Sequence, residues 1–193
     1  MGLSSEAIFE IFKETEALLE GHFVLTSGLH SNRYFQCAKV FQYPWHAETL
    51  CREIANHFRS DKIDVVVSPA IGGIIVGQEI ARLLNVRSIF TERVDGKMTF
   101  RRGFSVMPGE RVLVAEDVTT TGGSVKEVME AVREQKGVIL GVTGVVDRSG
   151  GKAEFGVPYF SLLQMDVVNH PPENCPLCKS GSVAVKPGSR NLK

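Results

Sequence analysis

The chain reads as an α/β protein with a central, mostly parallel sheet flanked by helices. Three observations predict this. Apolar-rich segments at 63–67, 112–115 and 138–146 are short, and that at 112–115 is unbroken, which suits strands buried on both faces. Each run ends in a loop of Gly, Thr, Ser or charged residues. Segments of helical period separate the runs, so strands and helices alternate as in parallel-sheet folds. Ligands of such sheets bind outside the carboxyl ends of the strands.

The elements follow in order. Residues 5–20 place Ile8, Ile11, Phe12, Thr15 and Leu19 on one helical face, with Gly21 as the expected stop. Residues 23–36 mix aromatic residues with Ser, Gly and Arg, and predict a hairpin or extended loop. Pro44 opens a helix to about residue 58. A strand at 63–67 is followed by the loop Ser68-Pro-Ala-Ile-Gly-Gly and a helix to 84. A short strand spans 87–91, and 92–110, rich in charge and Gly, reads as a long loop, with a solvated surface loop or a short hairpin as the bland alternative that charge alone favours. Then come a strand at 112–115, a helix at 121–135, and strands at 138–146 and 159–165. The tail from 169 reads as irregular. The expected organisation is one domain over 1–193: an N-terminal element at 1–40, a core at 60–168 and the tail at 169–193.

Composition narrows the function. The 193 residues carry 22 Lys plus Arg against 22 Asp plus Glu, a formal net charge of zero. A general nucleic-acid or membrane-surface role is not favoured by that balance. No apolar run approaches the roughly 20 residues that span a bilayer. Glu6, Glu10 and Lys13 interrupt the N-terminal apolar residues, so no signal peptide is read and a cytoplasmic location is the default. Four cysteines suggest no disulfide framework. Cys175 and Cys178 form a single CxxC. A zinc site needs two further ligands. His170, Cys37 and Cys51 are candidates whose spacing demands nothing, so a turn with two free thiols is the expectation.

The most informative stretch is 112–124, where four apolar residues run into Glu116-Asp117 and then Val118-Thr-Thr-Thr-Gly-Gly-Ser124. Carboxylates at a strand's end can hold hydroxyls. The Thr/Gly loop can present backbone N–H groups at a helix start, an anion site. Together they fit a sugar phosphate. The bland alternative is a strand-to-helix turn with Ser or Thr as N-cap. Neither a Walker A loop nor a Gly-x-Gly-x-x-Gly fingerprint is present.

This stretch resembles the phosphoribosyl-diphosphate (PRPP) signature of type I phosphoribosyltransferases. Residues 23–36 resemble, more narrowly, the N-terminal element of orotate phosphoribosyltransferases: Phe23, Leu25, Ser27, Gly28, Ser31, Tyr34 and Phe35 match its pattern. The resemblance covers roughly 5–165 and implies a type I fold with a small N-terminal hood element and a flexible loop at 92–110. It implies transfer of the phosphoribosyl group from PRPP to orotate, giving orotidine 5′-monophosphate and pyrophosphate through an oxocarbenium-like transition state.

The implied roles follow residue by residue. Glu116 and Asp117 hold the ribose hydroxyls, and Val118, Thr119, Thr120, Thr121, Gly122, Gly123 and Ser124 bind the 5′-phosphate. Ala70, Ile71, Gly72 and Gly73 bind pyrophosphate. Lys97, Arg101 and Arg102 are the catalytic cations of the loop, partly serving a neighbouring subunit; Asp117 is also assigned to catalysis, and Arg93 binds substrate. Thr26, Tyr34, Phe35 and Arg148 meet the base, with Arg148 forking onto its carboxylate. Mg²⁺ is the implied cofactor, held by PRPP and water with no direct protein ligand, and a homodimer is implied. The chain departs from many members at Thr26 and at Glu92-Arg93, which replaces an Arg-Lys pair. It also lacks the loop His, and it has Gly72 where some members have Lys. A purine phosphoribosyltransferase and a non-catalytic PRPP-sensing regulator are the alternatives.

Overall fold

The structure, a computed structural model, describes residues 2–25, 28–165 and 169–187. Thr26 and Ser27 therefore lie outside the described residues. The chain runs through α1 (Ser5–Glu14), β1 (Leu18–Val24), β2 (His30–Phe35), α2 (Ala38–Phe41), α3 (Pro44–His57) and β3 (Val65–Pro69). It continues through α4 (Gly72–Leu84), β4 (Arg87–Val94), β5 (Lys97–Phe100), β6 (Arg111–Thr119), α5 (Gly123–Glu134) and β7 (Val138–Asp147). Last come β8 (Tyr159–Gln164), β9 (Asn169–His170) and α6 (Pro176–Lys179).

The main sheet has the order β5-β4-β3-β6-β7-β8. All its pairings are parallel except β4 with β5. Side-chain alternation explains how it is covered on both faces. On β3 and β6, Val66, Leu113 and Ala115 join one apolar cluster with α3 and α4 residues such as Leu50, Ile54 and Ile80. Val65, Val67, Val112 and Val114 join the other, with Val125, Val128 and Met129 of α5. The expected fold class is the one observed.

Four local expectations are corrected. The first helix ends at Glu14, not near residue 20: Thr15 Oγ1 donates back to the Ile11 carbonyl at 2.7 Å, and Glu16 turns left-handed with φ 52°. Leu18 and Leu19 then pair with Phe35 and Tyr34 in the β1–β2 hairpin. Pairing outweighs the helical period, because the hairpin buries Leu18 beside Phe12 and Phe35.

Residues 92–110 are not one long loop. β4 continues to Val94, and Asp95-Gly96 (φ 48° and 84°) turns it into β5 with Val94 opposite Lys97. Two successive positive φ values fit a two-residue hairpin turn whose twist matches its strands.

β6 also runs past residue 115 to Thr119, so the strand itself carries Glu116 and Asp117 and the first residues of the Thr/Gly stretch.

Over its described residues, 169–187, the tail is not wholly irregular. β9 adds to β2 as the third strand of a small antiparallel sheet, β1-β2-β9. Further on, Val185 exchanges backbone hydrogen bonds with His22 (2.9 Å) and Val24 (2.8 Å).

Candidate active site

Two helix N-termini converge at the carboxyl edge of β3 and β6. The first is α4, whose preceding loop holds a cis Ala70–Ile71 peptide. Ala70 N–H already donates to the Thr91 carbonyl at 2.8 Å, so it is not free for an anion. No side chain caps α4, which leaves the first-turn N–H groups around Gly72 and Gly73 as donors. The glycines are required by proximity. A Cβ on Gly72 would collide with the Asp117 carboxylate, reaching its Cγ at 2.8 Å. One on Gly73 would sit 3.1 Å from the Ala115 carbonyl and 3.2 Å from Glu116 Oε1. The missing Lys at position 72 thus has a steric reason: Asp117 occupies its space.

The second N-terminus is α5, with Gly122 as cap at φ 74° and no side-chain cap. The Ser/Thr N-cap alternative therefore does not describe this turn. Gly123 N–H makes one long contact to Thr121 Oγ1, 3.4 Å. The loop encloses a cavity of about 70 Å³ lined by Glu116, Val118 and residues 119–125. An open helix N-terminus beside hydroxyls suits a phosphate.

The two carboxylates differ. Glu116 is buried, and burial first, then the neighbouring Asp117 charge, push its pKa well above the usual carboxylate range. Its Oε1 accepts from Asp117 N–H at 3.0 Å. Asp117 is half-buried and accepts from Val118 N–H at 2.8 Å. Beneath the loop, Tyr159 is pushed up to about 12 by burial, so its hydroxyl stays protonated.

Arg148 stands at the end of β7, its N–H donating to the Thr119 carbonyl at 2.8 Å. Asp147 is 1% exposed and accepts from Ser149 N–H (2.7 Å) and Gly151 N–H (3.2 Å), which fixes the turn that carries Arg148. The Arg148 guanidinium lies 5.7 Å from the centroid of the Phe35 ring. Its Nε is buried without a hydrogen-bond partner. Burial lowers its pKa from the usual arginine value.

Arg148 faces a cavity of about 410 Å³ shared with Tyr34, Thr120, Thr121 and Asn169. Leu25 and Leu29 complete its wall. Phe35 does not line this cavity. It is buried edge-on against Phe12 at 6.1 Å and supports Arg148 from beneath. Sequence reading missed Asn169 and Tyr159. An Asn beside a Pro-rich tail carries no periodic signal, and its place depends on the long-range pairing of β9 with β2.

The β4–β5 hairpin is not brought to this pocket within the chain. Lys97 lines a separate cavity of about 210 Å³ against Glu127, Glu130 and Glu134 of α5, and no phosphate-loop residue lines it. Arg93 pairs with Glu127 at 2.8 Å and Arg102 with Glu92 at 2.7 Å. Arg101 is exposed.

Open α/β sheet, paired carboxylates and uncapped helix N-termini define the class of protein that binds a phosphorylated sugar at the sheet edge. Residues 46–170 match the phosphoribosyl transferase domain family. The orotate phosphoribosyltransferase of Pelotomaculum thermopropionicum is 58% identical over 190 residues, 98% of this chain and all of that protein. That of Caldicellulosiruptor saccharolyticus is 55% identical over 191 residues, 99% of this chain and all of its own length. The crystal structure of orotate phosphoribosyltransferase from Aeropyrum pernix superposes with a TM-score of 0.66 at 25% identity, covering 81% of this chain and 92% of that one. The chain belongs to the phosphoribosyltransferase family, in its orotate phosphoribosyltransferase branch.

Proposed function

We infer that this chain transfers the 5-phosphoribosyl group from PRPP to orotate, releasing pyrophosphate and orotidine 5′-monophosphate. One observation carries the acceptor assignment: Arg148, its Nε unpartnered within the protein, faces a cavity contiguous with the phosphate loop through Thr120 and Thr121. A planar acid offers that guanidinium two oxygens in one plane, and Tyr34 supplies an aromatic wall. A purine would leave the buried cation unmatched.

The roles divide by element. The α5 N-terminus and Thr119–Ser124 hold the 5′-phosphate. Asp117 and Glu116 meet the ribose hydroxyls. The α4 N-terminus, through Ile71, Gly72 and Gly73, receives the diphosphate as charge develops on it. Catalysis then rests on stabilising a leaving group, not on a protein nucleophile.

Mg²⁺ and a homodimer belong to the same proposal. Glu116 and Asp117 offer oxygen donors only, which fits a hard cation held mainly by diphosphate oxygens and water. When bound, the cation would neutralise diphosphate charge. Lys97, Arg101 and Arg102 sit away from their own pocket, which suits service to a second copy's diphosphate.

The test is direct. The protein is mixed with PRPP, Mg²⁺ and orotate, and orotate absorbance is followed. Loss of absorbance with formation of pyrophosphate is expected. Turnover with a purine base alone would reverse the acceptor, and no turnover with any base would favour the regulator.

A further inference from the structure

Outside the catalytic edge, one cluster of metal-binding side chains has no part in phosphoribosyl transfer. His22, His30, Cys175 and Cys178 bring one ligand atom each to within 4.8 Å of one another. His22 Nε2 lies 2.8 Å from His30 Nδ1, 3.4 Å from Cys175 Sγ and 3.7 Å from Cys178 Sγ. Cys178 Sγ is 3.3 Å from His30 Nδ1. With Zn–N near 2.0 Å and Zn–S near 2.3 Å, tetrahedral ligands stand roughly 3.3 Å (N to N) to 3.8 Å (S to S) apart. The three N-to-S edges, 3.3–3.7 Å, fall in that range, and the N-to-N edge is shorter, at 2.8 Å, a hydrogen-bond distance that a bound ion would open. Two imidazoles and two thiols are a zinc donor set, poorly suited to Mg²⁺ or Ca²⁺.

The surroundings orient the ligands. His22 Nδ1 lies 3.0 Å from the Ser182 carbonyl, which can only accept, so Nδ1 carries the proton and Nε2 offers its lone pair to the cluster. Metal-bound histidines are held in this way. A β-bulge between Glu20 and Phe23 sets Gly21 and His22 against the single residue Asn32 and re-aims the His22 side chain. The CxxC closes on itself through Lys179 N–H to the Cys175 carbonyl, 3.1 Å. His22, His30 and Cys175 are buried, and exposed Cys178 leaves an entry path. The expected candidates His170, Cys37 and Cys51 are not part of the cluster.

We propose that His22, His30, Cys175 and Cys178 bind one zinc ion that pins the tail to the β1–β2 hairpin. The ion is structural, since four protein ligands leave no open position. It holds β9 beside β2 and thereby keeps Asn169 in the wall of the acceptor cavity. That last consequence rests on the proposed acceptor pocket, while the metal readouts below do not.

The test uses the full chain, purified under reducing conditions without a polyhistidine tag. Elemental analysis should give about one zinc per chain, falling at least fivefold in Cys178→Ser. Cobalt(II) added to chelator-stripped protein should give the intense visible bands of a tetrahedral site with thiolate charge transfer, lost on adding zinc. Should Cys178→Ser fail to fold, wild-type melting decides: a chelator should lower Tm, and zinc but not Mg²⁺ should restore it. A folded wild-type chain without zinc, without the cobalt spectrum and without chelator sensitivity overturns the proposal. So does a Cys175–Cys178 disulfide in the freshly purified protein.

Discussion

Replacing Arg148 by Leu should separate base recognition from PRPP binding. Two charge-assisted hydrogen bonds to an orotate carboxylate would each contribute about 1.5–3 kcal/mol. Arg148 is only half-buried, so water competes for the guanidinium and the low end applies, about 3 kcal/mol for the pair. At 1.4 kcal/mol per decade this is roughly a hundredfold loss in kcat/KM for orotate. PRPP affinity, measured by calorimetric titration, should change less than about threefold, since the contact of residue 148 with the phosphate loop is its backbone N–H to Thr119. Stability should not fall. The charge is costly to bury and its Nε is unpartnered, while Leu can pack on Phe35. Arg148→Lys should recover little, because an ammonium lacks the planar fork. Equal losses for orotate and PRPP, or an orotate kcat/KM within threefold of wild type, would refute the assignment.

Three further outcomes are expected. Gly72→Ala should displace the Asp117 carboxylate and weaken PRPP binding about tenfold, with the orotate KM unchanged, checked by titration and steady-state kinetics. Lys97→Ala should lower turnover far more than PRPP affinity; mixed with inactive Arg148→Leu protein, it should regain activity if each copy's Lys97 serves the other's site. Glu116 has its folded pKa raised above the ordinary value of 4.5. The native state then binds more protons than the unfolded state above pH 4.5, so its contribution to stability is complete below that pH and is lost as pH rises through the folded pKa. Melting scans across pH should show a smaller alkaline fall in Glu116→Gln than in wild type, and parallel curves would count against a buried, protonated Glu116.

Much of the architecture was legible because buried parallel strands announce themselves. The runs containing Val65–Val67 and Val112–Ala115 have no polar residue, and each leads to a Gly-rich turn. The carboxylate pair and the Thr/Gly loop were legible for the same reason: their chemistry is local. Where competing local signals met, the sequence misled. Residues 15–19 continue a helical stripe, yet Leu18 and Leu19 gain more from pairing with β2. Asp95-Gly96 is a strong hairpin signal, but the surrounding charge reads as a solvated loop. The tail was least legible. Nothing near Cys175 marks His22 and His30 as its neighbours, because the β2–β9 pairing that joins them is non-local.

That pairing has a consequence in time. His30 and His170 face one another across the ladder but are separated by 140 positions of chain. At roughly 5–20 residues per second of synthesis, the β2 edge emerges about 7–28 seconds before its partner strand. During that interval the hairpin presents an unpaired edge and two histidines that the tail later buries. A nascent chain therefore completes the strands and loops of its proposed PRPP site before its proposed acceptor pocket, and arrest after β8 but before residue 169 leaves the phosphate loop in place without Asn169 in the cavity wall.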